Sequence, residues 1–148
     1  MKIQELGHIV LYVSNLEKSA SFYRDILGFN QIHRDLHVAL FGAGRTHHEL
    51  LLIEVGGQPH EMNRGTPGLY HIGFKIGDTT QDLQEVLDEL KEKGVTIVGA
   101  TDHYVTHSLY ILDPDNNELE LYVDVNDIWK TNPKAILEPA KRLYLKGL

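Results

Sequence analysis

Apolar residues along this chain fall into two matching rhythms. Residues 6–13, Leu-Gly-His-Ile-Val-Leu-Tyr-Val, form a β-rich run, after which Leu16, Ala20, Phe22, Tyr23, Ile26 and Leu27 recur at helical spacing up to Gly28. Ser14 and Asn15 offer capping side chains at the start of that helix. Three short strand-like runs follow at 29–34, 37–42 and 48–55, separated by Gly-Ala-Gly-Arg and closed by Gly56-Gly57. This is a βαβββ unit. The order then restarts: a run at 69–76, a helix capped by Thr79-Thr80 with Leu83, Val86, Leu87 and Leu90 on one face, and a stop at Gly94. Runs at 95–98, near 105–112 and at 118–125 complete the second unit, the last two joined by the turn Asp113-Pro114-Asp115-Asn116-Asn117.

The expected fold is therefore α+β, with two tandem βαβββ modules forming a cleft between curved, mainly antiparallel sheets. Residues 1–125 make one domain, with module 1 over about 1–57, a linker rich in proline and glycine over 58–67, and module 2 over about 68–125. Three short strands after each helix demand such closure, because open edges would expose backbone donors and acceptors. Residues 126–148, with Trp129, Pro133 and a helical pattern over 135–145, form a C-terminal helical appendage. Such an appendage offers a surface for a neighbouring subunit, so a homo-oligomer is compatible with the pattern.

Composition narrows the chemistry. A formal charge of −7 over 148 residues argues against a surface that gathers phosphate backbones, so nucleic acid is not an expected partner. The chain has no cysteine, which removes disulfides, thiolate ligands and a cysteine nucleophile, and leaves histidine and carboxylate as metal donors. No apolar run approaches the roughly 18–20 residues of a membrane span, and no basic-then-apolar leader pattern opens the chain. No membrane contact is expected, and the expected location is the cytoplasm.

The repeat singles out three metal-ligand candidates. His8 and His71 stand at equivalent places early in the first strand of each module, and overlaying the last strands sets Glu120 against Leu51. Strand alternation puts Leu119, Leu121 and Val123 on one face and Glu118, Glu120 and Tyr122 on the other. A histidine at a strand end, taken alone, is usually a satisfied polar residue. Two imidazoles and a carboxylate at repeat-equivalent positions form a different pattern, with coordination sites left open as in non-haem Fe(II) oxygen chemistry.

At these residues the chain resembles the vicinal oxygen chelate superfamily, which includes glyoxalase I, antibiotic-resistance proteins and type I extradiol ring-cleaving dioxygenases. The resemblance runs from about residue 6 to 124. It is carried by Gly-His-Ile-Val-Leu-Tyr-Val, Phe22-Tyr23 and Leu27-Gly28-Phe29 at the start, and by Asp113-Pro114-Asp115 and Glu118-Leu119-Glu120-Leu121-Tyr122 at the close. Three segments are similar to the extradiol enzymes in particular. His47-His48-Glu49-Leu50-Leu51-Leu52 resembles a strand motif whose histidine acts as acid and base, with His48 at the matching position. Asp102-His103-Tyr104-Val105-Thr106 resembles a segment whose histidine contacts substrate, and Tyr110 matches an active-site tyrosine.

The resemblance implies a metal-dependent extradiol-type dioxygenase that cleaves a small catecholic ring with O₂. It implies His8, His71 and Glu120 as ligands of Fe(II), or of Mn(II), and His48, His103 and Tyr110 as catalytic groups. Leu40, Leu51 and Phe74 are core residues first and apolar walls second. Tyr104 and Asn116 stand where the family pattern has glycine, and either His103 or His107 could be the histidine that contacts bound substrate. A glyoxalase-like metal-dependent lyase or isomerase is the rival enzyme, although Leu51 leaves a four-ligand arrangement one carboxylate short. A non-catalytic small-molecule-binding member of the superfamily is the third reading.

Overall fold

Each sheet is organised around one parallel pair, residues 9–13 with 50–54 in one and residues 71–77 with 118–124 in the other. The structure is a computed structural model that describes residues 1–62 and 65–148. The chain divides into two compact units, Met1–Glu61 with Pro114–Asn116, and Met62–Asp113 with Asn117–Leu148. Asn63 and Arg64, within the expected linker over 58–67, lie outside the described residues. The fold is α+β, with a four-stranded and a five-stranded sheet.

The first unit contains β1 (Ile9–Val13), α1 (Leu16–Ser21), β2 (Asn30–Arg34), β3 (Val38–Gly42) and β4 (Leu50–Glu54), with sheet order β1-β4-β3-β2. β1 runs parallel to β4, and the other neighbours are antiparallel. Asn15 caps α1 by accepting from Lys18 N at 2.9 Å. The helix expected to reach Leu27 turns π-helical over Phe22–Ile26, with Leu27 N–H bonding to Phe22 O at 3.1 Å. The wider turn buries two consecutive aromatic residues, Phe22 and Tyr23, and Gly28 ends it at φ +75°. Leu11, Val13, Leu16, Ala20, Phe41, Leu50 and Leu52 complete the core. The alternate residues of β1, Val10 and Tyr12, are exposed on the opposite sheet face.

The second unit contains β5 (His71–Gly77), α2 (Thr80–Glu92), β6 (Ile97–Asp102), β7 (Thr106–Leu112), β8 (Glu118–Asp124) and β9 (Lys141–Arg142). Its sheet order is β5-β8-β7-β6-β9, with β5 parallel to β8. Thr79 and Asp82 form a reciprocal capping box, and Leu83, Leu87 and Leu90 bury the inner face of α2. They pack with Leu109, Ile111, Leu119, Leu121 and Val123 as the core.

Two boundaries differ from expectation. The strand expected over 95–98 is β6, which begins at Ile97 and continues through Gly99-Ala100-Thr101-Asp102, a stretch without an apolar rhythm. Pairing with β7 on one side and β9 on the other sustains it, and a bulge lies between Ile97 and Gly99. The helix expected over 135–145 is a 3₁₀ turn, Pro133–Leu137, followed by β9. Pro139 explains the change: it has no N–H to donate, and it holds the preceding Glu138 at φ −57°, ψ 143°, outside the helical region. Ala135 and Leu145 are nevertheless buried, so this segment packs as part of its unit. Among the described residues no helix is long and apolar enough to cross a membrane.

Candidate metal and proton-transfer site

The polar face of the second sheet is built from one cross-strand row. Gly73 pairs with Glu120, Glu120 with Tyr110, and Tyr110 with Gly99. The corresponding row of the first sheet is Val10, Leu51, Leu40 and His33. Both registers run through equivalent pairs, Ile9 with Leu50 and Ile72 with Leu119, so Leu51 and Glu120 are structural counterparts. Leu40 and Leu51 lie on the face opposite Ala39, Phe41, Leu50 and Leu52, whereas Phe74 shares the parity of the core residue Ile72.

Glu120 stands at the centre of a polar chain. Its Oε2 lies 3.2 Å from Nε2 of His71, a contact that is an ion pair when His71 is protonated. Its Oε1 accepts from the phenol of Tyr110 at 3.1 Å, and Nε2 of His103 lies 2.8 Å from the same phenol oxygen. As a carboxylate Glu120 can only accept, so Tyr110 spends its one proton there and His103 must donate from Nε2. Burial first, and the Glu120 carboxylate second, push the Tyr110 phenol well above its ordinary pKa.

His103 reaches this row from the β6–β7 turn. There Asp102 accepts from Tyr104 N at 2.7 Å, and Tyr104 adopts φ +69°. His107 does not join it. Sharing the parity of Leu109 and Ile111, it turns to the helical side, where Nδ1 lies 2.8 Å from Thr80 Oγ1.

Two possible metal donors, His71 and Glu120, meet in the second unit. The His71 and Glu120 atoms stand 3.2 Å apart, close to the roughly 3 Å expected of neighbouring ligands whose bonds to one ion are about 2.1 Å. His71 Nδ1 is buried with no hydrogen-bond partner. Gly73 leaves the space the carboxylate needs, since a Cβ there would sit 3.3 Å from Glu120 Oε2. Among the described residues no group of three or more His, Cys, Asp or Glu side chains is arranged to hold a metal ion. Of the three expected ligands, then, His71 and Glu120 are in contact in the second unit, and His8 belongs to the first.

In the first unit His8 precedes β1 directly, and its ring centroid lies 4.5 Å from that of His48. The β3–β4 connection carrying His48 is wound around Glu49, whose carboxylate accepts from the backbone of Ala43, Arg45 and Thr46 at 2.7, 2.8 and 3.1 Å. Those bonds hold Glu49 below the ordinary carboxylate pKa. From the same loop Arg45 donates to Leu6 O at 3.0 Å and Gly7 O at 2.9 Å, tying down the backbone that leads into His8. His48 is half-buried, and its Nε2 is buried without a partner. Desolvation, followed by the neighbouring imidazoles of His8 and His47, lowers its pKa from the ordinary histidine value.

Three participants escaped the sequence reading. Gly73, in mid-strand, clears room for Glu120. Tyr70 packs against His71 with ring centroids 4.5 Å apart, and burial, followed by the Glu118 carboxylate, raises its pKa. His47 meets His48 through their Nδ1 atoms. Only Gly73 carried a readable signal, a glycine inside a strand.

A family model described as the Glyoxalase/Bleomycin resistance protein/Dioxygenase superfamily matches residues 5–121. The chain belongs to that superfamily. It is 32% identical over 120 residues to biphenyl-2,3-diol 1,2-dioxygenase 3 of Rhodococcus globerulus, covering 80% of this chain and 63% of that one. It is 34% identical over 122 residues to the metallothiol transferase FosB of Staphylococcus haemolyticus, covering 81% and 84%. A crystal structure of a glyoxalase/dioxygenase from Nostoc punctiforme shares the fold, with a TM-score of 0.67 at 22% identity over 83% of this chain and 92% of that one. The chain spans less than two thirds of the length of the first dioxygenases it matches, 63% for two of them and 41% for a third.

Proposed function

We propose that the chain is an extradiol-type dioxygenase that opens a small catecholic ring with O₂, using Fe(II) or, in its place, Mn(II). One observation carries the reading: contacts run unbroken from the His71–Glu120 donor pair through Tyr110 to His103. Similarity to proteins named biphenyl-2,3-diol and catechol-2,3-dioxygenases supports the substrate class, since both names specify adjacent hydroxyls on an aromatic ring.

His8, His71 and Glu120 would hold the ion. When bound there, Fe(II) supplies Lewis acidity toward a vicinal diol and redox chemistry toward O₂. Tyr110, kept protonated by its burial, donates to Glu120 and fixes that carboxylate, and His103 holds the phenol in place. His48 presents an unpartnered Nε2, the atom that takes a proton from a substrate hydroxyl and returns it later in the cycle.

The metallothiol transferase match, which covers 84% of that relative, favours a second reading in which a metal polarises substrate oxygen and O₂ takes no part. Anaerobic reconstitution with Fe(II), followed by admission of air to a panel of catechols, separates the two. Oxygen uptake with a yellow ring-fission product is expected from the first reading. Turnover of a substrate at full rate without O₂ would favour the second.

A further inference from the structure

We propose that Asn126, the first residue of the C-terminal segment, is a positioning residue for His103: it holds Tyr104 in a strained turn that aims His103 at Tyr110. The inference rests on the reading of His103 as the group that holds the Tyr110 phenol, and it brings into the site a segment that lies outside the repeated βαβββ pattern.

Every backbone polar group from His103 to Val105 has a partner. His103 N–H donates to Thr106 O at 2.9 Å, Val105 N–H to His103 O at 2.8 Å, and Val125 N–H to Val105 O at 3.0 Å. A bond from Val105 back to His103, with Tyr104 between them at φ +69°, marks a γ-turn of the positive-φ kind, which is rare and strained. Tyrosine carries the Cβ that this backbone region disfavours, so the turn persists only where its surroundings fix it. Two side chains do so. Asp102 accepts from Tyr104 N–H at 2.7 Å, and Asn126 Nδ2 donates to Tyr104 O at 2.7 Å.

Asp102 is local to the turn, whereas Asn126 ties it to residues that follow the last strand of the repeat. Asn126 Oδ1 accepts from Ile128 N–H at 3.1 Å, where the 3₁₀ turn Ile128–Lys130 begins. Both partners are backbone groups of fixed polarity, which settles the orientation of the amide. The C-terminal segment meets the same region again through β9, which pairs Lys141 with Asp102 and Arg142 with Thr101. Without the bond from Asn126, Tyr104 is free to leave the left-handed region, which an L side chain disfavours. Rotation there redirects the adjoining His103, whose Nε2 lies 2.8 Å from the Tyr110 phenol oxygen.

The test uses two substitutions. Asn126→Asp places a second acceptor against Tyr104 O, and Asn126→Ser falls short of that oxygen, while both keep an acceptor for Ile128 N–H. In the metal-free full chain, NMR should show nuclear Overhauser contact between the rings of His103 and Tyr110 in the parent and its loss in both variants. Adding Tyr104→Gly, which removes the Cβ that makes the turn costly, should restore the contact. With Fe(II) and a catechol, both variants should lower kcat by about 10–100-fold, the cost of a misplaced group, with KM and metal content unchanged, and Tyr104→Gly should recover most of that loss. Ring contact and kcat that persist in both variants would overturn the proposal. So would losses that Tyr104→Gly does not reduce, because Asn126 would then act other than through the turn. A parent inactive toward every catechol under air would contradict the dioxygenase reading alone, and the ring contact would still decide the role of Asn126.

Discussion

Tyr110 and Glu120 face each other on antiparallel strands β7 and β8, and the phenol donates to the carboxylate at 3.1 Å. The counterparts of this pair in the first unit are Leu40 and Leu51. The same cross-strand pair is thus apolar in one copy and hydrogen-bonded in the other. Tyr110→Phe deletes the donor and keeps the ring. Stability should fall by about 1 kcal/mol, the net worth of one hydrogen bond, and turnover by about tenfold, with metal content unchanged. Thermal unfolding and steady-state kinetics read the two effects separately.

Gly73 permits that arrangement. A Cβ at this position would meet Glu120 Oε2 at 3.3 Å and the Tyr122 ring at 3.6 Å. Gly73→Ala should leave the fold intact and weaken metal binding about tenfold, and Gly73→Val should weaken it further. Metal titration of the two variants checks this, and unchanged affinity in both would separate Gly73 from the donor pair.

Tyr104 occupies a left-handed backbone position at φ +69°, where a bulky side chain costs about 1 kcal/mol or more. Asp102 and Asn126 hold it there through bonds of 2.7 Å to Tyr104 N and from Asn126 Nδ2 to Tyr104 O. Tyr104→Gly should therefore be at least as stable as the parent in thermal unfolding. A clear loss of stability would mean that the tyrosine ring contributes more than the backbone strain removes.

The α2 capping box makes a pH prediction. Backbone N–H groups of Asp78 and Thr79 donate to Asp82 and lower its pKa in the folded state. A carboxyl with a depressed folded pKa contributes stability that is fully present above its unfolded pKa, about 4, and lost as pH falls through the folded value. Asp82→Asn should remove part of the acid-side slope of stability below about pH 4 and leave the neutral and alkaline arms parallel to the parent. Thr79→Ala, which removes the other half of the box, should cost about 1 kcal/mol at all pH values. Urea unfolding at several pH values measures both.

Much of this was legible in the residues. The duplicated His-Ile run aligned the two units, and strand alternation alone placed Glu118, Glu120 and Tyr122 opposite the core. His107 falls in step with Leu109 and Ile111 inside β7, whereas His103 lies in the turn before that strand, where alternation assigns no face. What could not be read depended on partners distant in sequence. β6 is held by its neighbours rather than by its own apolar rhythm, and β9 exists because residues 141–142 meet residues 101–102. Asp115 belongs to the turn over 113–117, yet it is buried and accepts from Ser14 N and Ser19 Oγ at the start of α1. The His47–His48 contact was hidden for another reason: both residues precede β4, where the alternation that separates adjacent side chains in a strand does not apply.

Isotope incorporation tests the central claim most directly. With ¹⁸O₂, Fe(II)-reconstituted protein and a catechol that it turns over, the ring-fission product should carry two ¹⁸O atoms, apart from those lost by exchange with water. Product formed at the same rate under nitrogen, or formed in air with no ¹⁸O, would contradict ring cleavage by dioxygen.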